Sequence, residues 1–109
     1  MKINFTPEFD RAFKKLAKRH RSLKEDFSSL LVSLVENPAQ GVELFAGVRK
    51  IRMAIGSKGR GKSGGARVIF TCRIREDTLH FLFIYDKRDM DNVEDDFIRE
   101  VLSRLSEHS

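Results

Sequence analysis

The chain has 109 residues, 40% of them apolar, and its 21 Lys and Arg against 16 Asp and Glu give a net charge of +5. That length holds one hydrophobic core and not two, and the basic surplus points to a polyanionic partner, a nucleic acid or an acidic protein. One cysteine, Cys72, excludes an intramolecular disulfide and a cysteine-based zinc site, and no run reaches the roughly 18–20 apolar residues that cross a bilayer.

Lys2 to Phe5 reads as a short strand, with Ile3 and Phe5 alternating. Thr6-Pro7-Glu8 supplies a cap, a proline at the first helical position and an early acid, so a helix starts there. Phe9, Phe13, Leu16 and Ala17 share one face of it, and Arg11, Lys14, Lys15 and Lys18 share the other. After a break at residues 20–22, Leu23, Phe27, Leu30, Leu31, Leu34 and Val35 mark a second amphipathic helix, stopped by Asn37-Pro38. The two make a helical hairpin that needs an apolar surface to lie on.

The second half provides a sheet. Ile51, Met53 and Ile55 alternate with Lys50, Arg52 and Ala54; Ala66, Val68, Phe70, Cys72 and Ile74 alternate with Arg67, Ile69, Thr71 and Arg73. Leu79 to Tyr85 is apolar throughout except for His80 and reads as a buried central strand, reached through a turn at Arg75-Glu76-Asp77-Thr78. A last helix carries Phe97, Ile98, Val101, Leu102 and Leu105, with Asn92 as its expected cap. The predicted fold is one α+β domain over residues 1–109: a helical hairpin packed on a mainly antiparallel sheet of about four strands, with a C-terminal helix. The second sheet face, bearing Lys50, Arg52, Arg67 and Arg73, opens on a groove.

Between Gly47 and Arg75 lie Arg49, Lys50, Arg52, Lys58, Arg60, Lys62, Arg67, Arg73 and Arg75, with no Asp or Glu among them. At the centre is the Gly-rich loop from Gly56 to Gly65. Such a stretch repels itself, so it is explained by something polyanionic that lands there. The loop also matches G-x-x-x-x-G-K-[ST] from Gly56 to Ser63, the signature of a nucleotide-binding P-loop. That chemistry needs a helix to begin at the loop's end, and Gly64-Gly65 leads instead into the strand-like Ala66-Arg67-Val68-Ile69-Phe70. The loop is therefore read as a mobile basic hairpin tip.

The run Val48-Arg49-Lys50-Ile51-Arg52-Met53, the basic loop, Gly64-Gly65-Ala66-Arg67-Val68-Ile69-Phe70 and Phe83-Ile84-Tyr85-Asp86-Lys87 together resemble the RelE/ParE toxin superfamily, in its HigB-like branch. The likeness covers nearly the whole chain. It implies the toxin of a type II toxin–antitoxin system, a ribosome-dependent mRNA endonuclease in which the RNA 2′-hydroxyl attacks the adjacent phosphate without metal or other cofactor. It implies as partners the ribosome, mRNA and a cognate antitoxin, expected to be a small helix-turn-helix protein, and it places the chain in the cytoplasm, away from membranes.

By motif, Lys50 and Arg52 match the family's strand-borne lysine pair, Arg67 the arginine after the loop, and Lys87 and Arg88 the basic pair after the last strand. Tyr85 belongs to the Ile-Tyr-x-Lys pattern and completes the expected catalytic set of Arg67, Lys50, Arg52, Lys87 and Tyr85. Lys58, Arg60, Lys62, Arg73 and Arg88 are expected RNA contacts. The chain departs from the best-known members in the stretch Met90 to Asp95, which lacks their tyrosine and so leaves the proton acceptor open; a lysine crowded by other cations can have a lowered pKa, and Lys87 or Lys50 could serve. His80 reads as a packed histidine, Cys72 as inert and core-facing, and Asp86 as a neighbour that orients Lys87; His20 and His108 are given no role. Two other functions stand against endonuclease activity: a non-enzymatic ParE-like poison of DNA gyrase and a non-toxic nucleic-acid-binding module.

Overall fold

The computed structural model of the chain describes residues 1–59 and 61–108. Five strands form one mixed sheet in the order β1-β5-β4-β3-β2, with three helices, α1 to α3, packed on it. β1 is Lys2–Phe5, β2 Val42–Phe45, β3 Val48–Met53, β4 Ala66–Arg73 and β5 Thr78–Asp86; α1 is Pro7–Arg19, α2 Leu23–Glu36 and α3 Asp95–His108. All neighbours are antiparallel except β1, which lies parallel to β5 with Ile3 opposite Leu79.

The start of α1 follows from its local chemistry. The Thr6 hydroxyl accepts the Phe9 N–H at 3.0 Å and donates to the Leu82 carbonyl at 2.9 Å, so one side chain caps the helix and ties it to β5. The hairpin's apolar stripe then meets the sheet. Phe9 and Phe27 reach Phe81 with ring centroids 5.7 and 5.0 Å away, the second pair edge to face. Leu16, Leu23 and Leu34 close the same core against Val68, Phe70 and Ile84. Cys72 packs half-buried on this side, as its alternation predicts.

Three features were not expected. β2 is a fifth strand, four residues long and joined to β3 through Ala46-Gly47, both at positive φ. Its brevity leaves too little alternation to read. The second sheet face, expected to be open, is half covered: α3 lays Ile98 and Val101 over Val48, Ile69, Leu82 and Tyr85. α3 also begins later than a cap at Asn92 predicts. The Asn92 side chain accepts its neighbour Val93's N–H, and it is the Glu94 carbonyl that accepts the first helical N–H groups.

A bulge in β5 decides which residues face which side. Ile69 pairs with Phe83 and Phe70 with Phe81, leaving Leu82 as the extra residue. The alternation changes phase there. Phe81 and Ile84 both face the hairpin, while Leu82 and Tyr85 face α3. Downstream, Asp86 points to the hairpin side and Lys87 to the other.

Candidate functional site

Where α3 stops covering the second sheet face, a groove of about 600 Å³ remains. Its floor is Lys50 and Arg52 of β3 with Arg67 of β4. One wall is Gln40, Gly41, Val42 and Leu44, and the other is Lys62 of the Gly-rich loop with Lys87 and Asp91 from the segment after β5. The cations are brought together by register: Lys50 stands opposite Ile69, and Arg52 opposite Arg67, which in turn stands opposite Tyr85.

Backbone contacts hold the rim. Gly41 lies so close to β3 that a Cβ on it would sit 2.5 Å from the Lys50 carbonyl oxygen, and its φ of +84° favours glycine independently. Gly65 is closer still, 2.1 Å from the Met53 oxygen to a Cβ in that place. Arg49, on the opposite face from Lys50, donates to the carbonyls of Gln40 and Gly41 and so pins the wall. The Gln40 amide is bound to Ser33 and to the Asn37 carbonyl at the end of α2.

Arg67 is 5% exposed, although it sits at the groove. Its guanidinium donates to the carbonyls of Lys62 at 3.1 Å and Ala66 at 3.2 Å. Burial, and then the Arg52 charge, lower its pKa from the ordinary arginine value. A guanidinium still keeps its proton under these pressures, so the arrangement favours an anion strongly. Lys50 donates to the Asn92 side chain at 3.4 Å; Arg52, Lys62 and Lys87 are exposed.

Five expected site residues therefore converge: Lys50, Arg52, Lys62, Arg67 and Lys87. Others do not. Lys58, expected as an RNA contact, turns inward and binds the Asp86 carboxylate at 2.9 Å. Arg73 lies at the opposite end of β4 from Arg67, 3.8 Å from Glu76. Arg88 is exposed outside the groove lining, and its backbone N–H binds Asp86. Arg60 lies outside the described residues. Tyr85 is buried beside Arg67 under α3, and among the described residues its hydroxyl has no hydrogen-bond partner. Burial raises the Tyr85 pKa, with Arg67 pulling down and Asp91 pushing up, so the buried phenol is poorly suited to accept a proton.

The loop is not a free tip in its first half. The Gly56 N–H donates to Asp26 at 3.0 Å and the Ser57 N–H to Ser22 at 2.8 Å, both at the start of α2. It runs from β3 into the antiparallel β4 through two short 3-10 turns, Gly56–Lys58 and Lys62–Gly64. No helix begins at its end, so the setting of a nucleotide-binding P-loop is missing.

Sequence reasoning missed Asp91, among the described residues the only carboxylate in the groove lining, and the cluster around Asp86. Asp86 is wholly buried and accepts from Lys58, from His20 at 2.8 Å, from Arg19 at 3.4 Å and from the Arg88 N–H at 2.9 Å. Burial alone would raise its pKa; these donors outweigh it and hold the carboxyl well below the usual range. His20 and Lys58 stand far from Asp86 in sequence, so no local pattern announces them. His80 is packed as expected, bound by Asn4 and Glu76 away from the groove. Among the described residues no group of three or more His, Cys, Asp or Glu is placed to hold a metal, and no helix is long and apolar enough to cross a membrane.

Comparison with solved structures agrees with this architecture. A free-state mutant of E. coli RelE with two arginines replaced by alanine is 17% identical, with 95% of this chain and 96% of that one covered at a TM-score of 0.60. The isolated E. coli RelE toxin is 16% identical, with 95% and 97% covered at 0.56. At these identities the likeness is one of fold. The family model described as the RelE toxin of the RelE/RelB toxin–antitoxin system matches residues 1–108, and with that match the chain belongs to the RelE toxin family, the toxin side of a toxin–antitoxin pair.

Proposed function

We propose that this toxin inhibits translation by cutting messenger RNA on the ribosome, in the cytoplasm, and that cleavage takes place in the groove between β2 and the Lys87 segment. The observation that carries the proposal is the convergence of Lys50, Arg52, Lys62, Arg67 and Lys87 with one carboxylate among the described residues, Asp91. Its antitoxin is expected to be a helix-turn-helix protein.

In the proposed reaction Asp91 takes the proton of an RNA 2′-hydroxyl. The 2′-oxygen bonds to the adjacent phosphorus, the bond from phosphorus to the 5′-oxygen breaks, and Lys87 gives that oxygen its proton. The products are a 2′,3′-cyclic phosphate and a 5′-hydroxyl. Charge develops on the phosphoryl oxygens as the phosphorus becomes five-coordinate. Arg67 is suited to bind two of them at once, with Arg52 and Lys50 on flanking phosphates. The side chains themselves supply the charge that a divalent ion would bring, so the reaction is written without metal.

The test is induction without antitoxin, followed by mapping of RNA 5′ ends, beside cleavage of mRNA on purified ribosomes with and without a chelator. Cuts inside translated frames that persist in chelator, and that disappear in Arg67→Ala, are the expected result. Loss of one oxyanion-hole donor costs about 2.7–4 kcal/mol, and loss of the Arg67 contact is expected on the same scale. Intact mRNA together with gyrase-dependent DNA damage would instead assign the protein to the ParE-like activity.

A further inference from the structure

We propose that Asp86 is a positioning residue for the cleavage site, acting on Lys87 and Lys62 from the far side of the sheet through its bonds to Lys58, His20 and the Arg88 backbone. The inference rests on the function proposed above for the groove. Asp86 does not reach RNA, because it is wholly buried on the hairpin side.

Asp86 is the last residue of β5 and stands opposite Ala66, the first of β4. The next residue in each strand direction, Lys87 and Arg67, belongs to the groove. The Lys87 N–H donates to the Gly65 carbonyl at 3.2 Å, the Gly65 N–H to the Lys62 carbonyl at 3.3 Å, and the Arg67 guanidinium to that same carbonyl. Three groove cations thus hang on one short stretch of backbone, and Asp86 sits beneath it. Its Oδ1 holds both the Arg88 N–H, which closes the turn carrying Lys87, and Lys58, which closes the first half of the loop carrying Lys62. Its Oδ2 is anchored by His20 at the end of α1 and by Arg19, which also binds Asp89 at 2.7 Å.

Three helical and loop elements are therefore clamped to the point where Lys87 leaves the sheet. A carboxylate used only for stability would not need to sit one peptide bond from a groove residue with two of its donors drawn from the two segments, the Gly-rich loop and the turn after β5, that together build one groove wall. A displacement of about 1 Å of a reacting group can cost two orders of magnitude in rate, so such a clamp has a kinetic consequence beyond its contribution to folding.

The test compares Lys58→Met, which keeps the aliphatic stem and removes the charge, with Lys58→Arg, which restores it, and with Asp86→Asn. Amide hydrogen exchange on the intact chain reads the clamp independently of activity. The expected result is faster exchange of the Lys87 amide in Lys58→Met and Asp86→Asn, with Val68 and Phe81 protected as in the parent chain and Lys58→Arg close to it. In single-turnover cleavage on saturated ribosomes, Lys58→Met should lose about tenfold to a hundredfold in rate with ribosome affinity unchanged. Unchanged Lys87 exchange in Lys58→Met overturns the proposal even if the parent chain cuts no RNA, an outcome that would sink only the endonuclease reading. A full cleavage rate in a Lys58→Met protein whose Lys87 amide has been freed overturns it too. If Asp86→Asn exchanges everywhere, Lys58→Met decides.

Discussion

Arg52 and Arg67 face each other directly across β3 and β4, on the same side of the sheet, and the second of the two is nearly buried. Like charges opposite one another destabilise a sheet by about 0.2–1 kcal/mol, and the low exposure of Arg67 keeps water from screening its side of the pair. The fold carries this strain where a phosphate would relieve it. Arg52→Gln should therefore raise Tm by about 1–4 °C while lowering cleavage. Thermal denaturation at low and high salt checks this, since added salt should raise the parent's Tm and leave the variant's nearly still.

Asp91 and Lys87 are assigned opposite proton transfers, and the two can be told apart. Asp91→Asn should lower the single-turnover rate by about 10²–10⁴-fold, the usual worth of a general base. RNA should bind at least as tightly, because a negative charge has left a cationic groove. Were Asp91→Asn to cut at the parent rate, Asp91 would not be the proton acceptor, and that role would return to Lys87 or Lys50.

Tyr85 is the residue whose expected role fits its surroundings least. A buried hydroxyl without a partner costs about 1–3 kcal/mol, and replacing it with hydrogen removes that cost. Tyr85→Phe should therefore leave toxicity intact and hold or raise thermal stability, as growth arrest and a melting curve would show. Loss of cleavage in a well-folded Tyr85→Phe would return the phenol to the reaction.

Much of this was legible in the residues. Thr6-Pro7 and Asn37-Pro38 punctuate the helices, and strict alternation put Lys50, Arg52 and Arg67 on one sheet face. What alternation cannot reveal is a change of phase. The Leu82 bulge sends Tyr85 towards α3, Asp86 towards the hairpin and Lys87 into the groove. Composition also made Lys58 and Lys62 look alike, although one lies half-buried on Asp86 and the other faces solvent. That difference depends on His20 and Asp86 meeting across the fold, which no local spacing records.

Acid should weaken the fold through the Asp86 cluster. Its folded-state pKa is depressed, so its contribution is fully present above the unfolded carboxylate value of about 3.9 and is lost as pH falls below that towards the folded value. Melting temperature should fall with acid over this window in the parent chain. Asp86→Asn should be less stable at neutral pH and show a shallower fall below about pH 4. An equally steep fall in the variant would place the acid sensitivity in other carboxylates.

The two loop lysines give the sharpest contrast. Lys62 is exposed at the groove, so Lys62→Gln should weaken ribosome or RNA binding, reduce its dependence on salt through lost counterion release, and leave Tm unchanged. Lys58 is held inside on Asp86, so Lys58→Gln should lower Tm and leave the salt slope of binding alone. A P-loop predicts another pattern: Lys62 would reach a nucleotide phosphate, and Lys62→Ala would abolish magnesium-dependent ATP binding. Calorimetry with ATP and magnesium on the parent chain should give no saturable heat, because β4 follows the loop where such a site needs the start of a helix. Saturable micromolar binding lost in Lys62→Ala would overturn that conclusion and make the groove a nucleotide site.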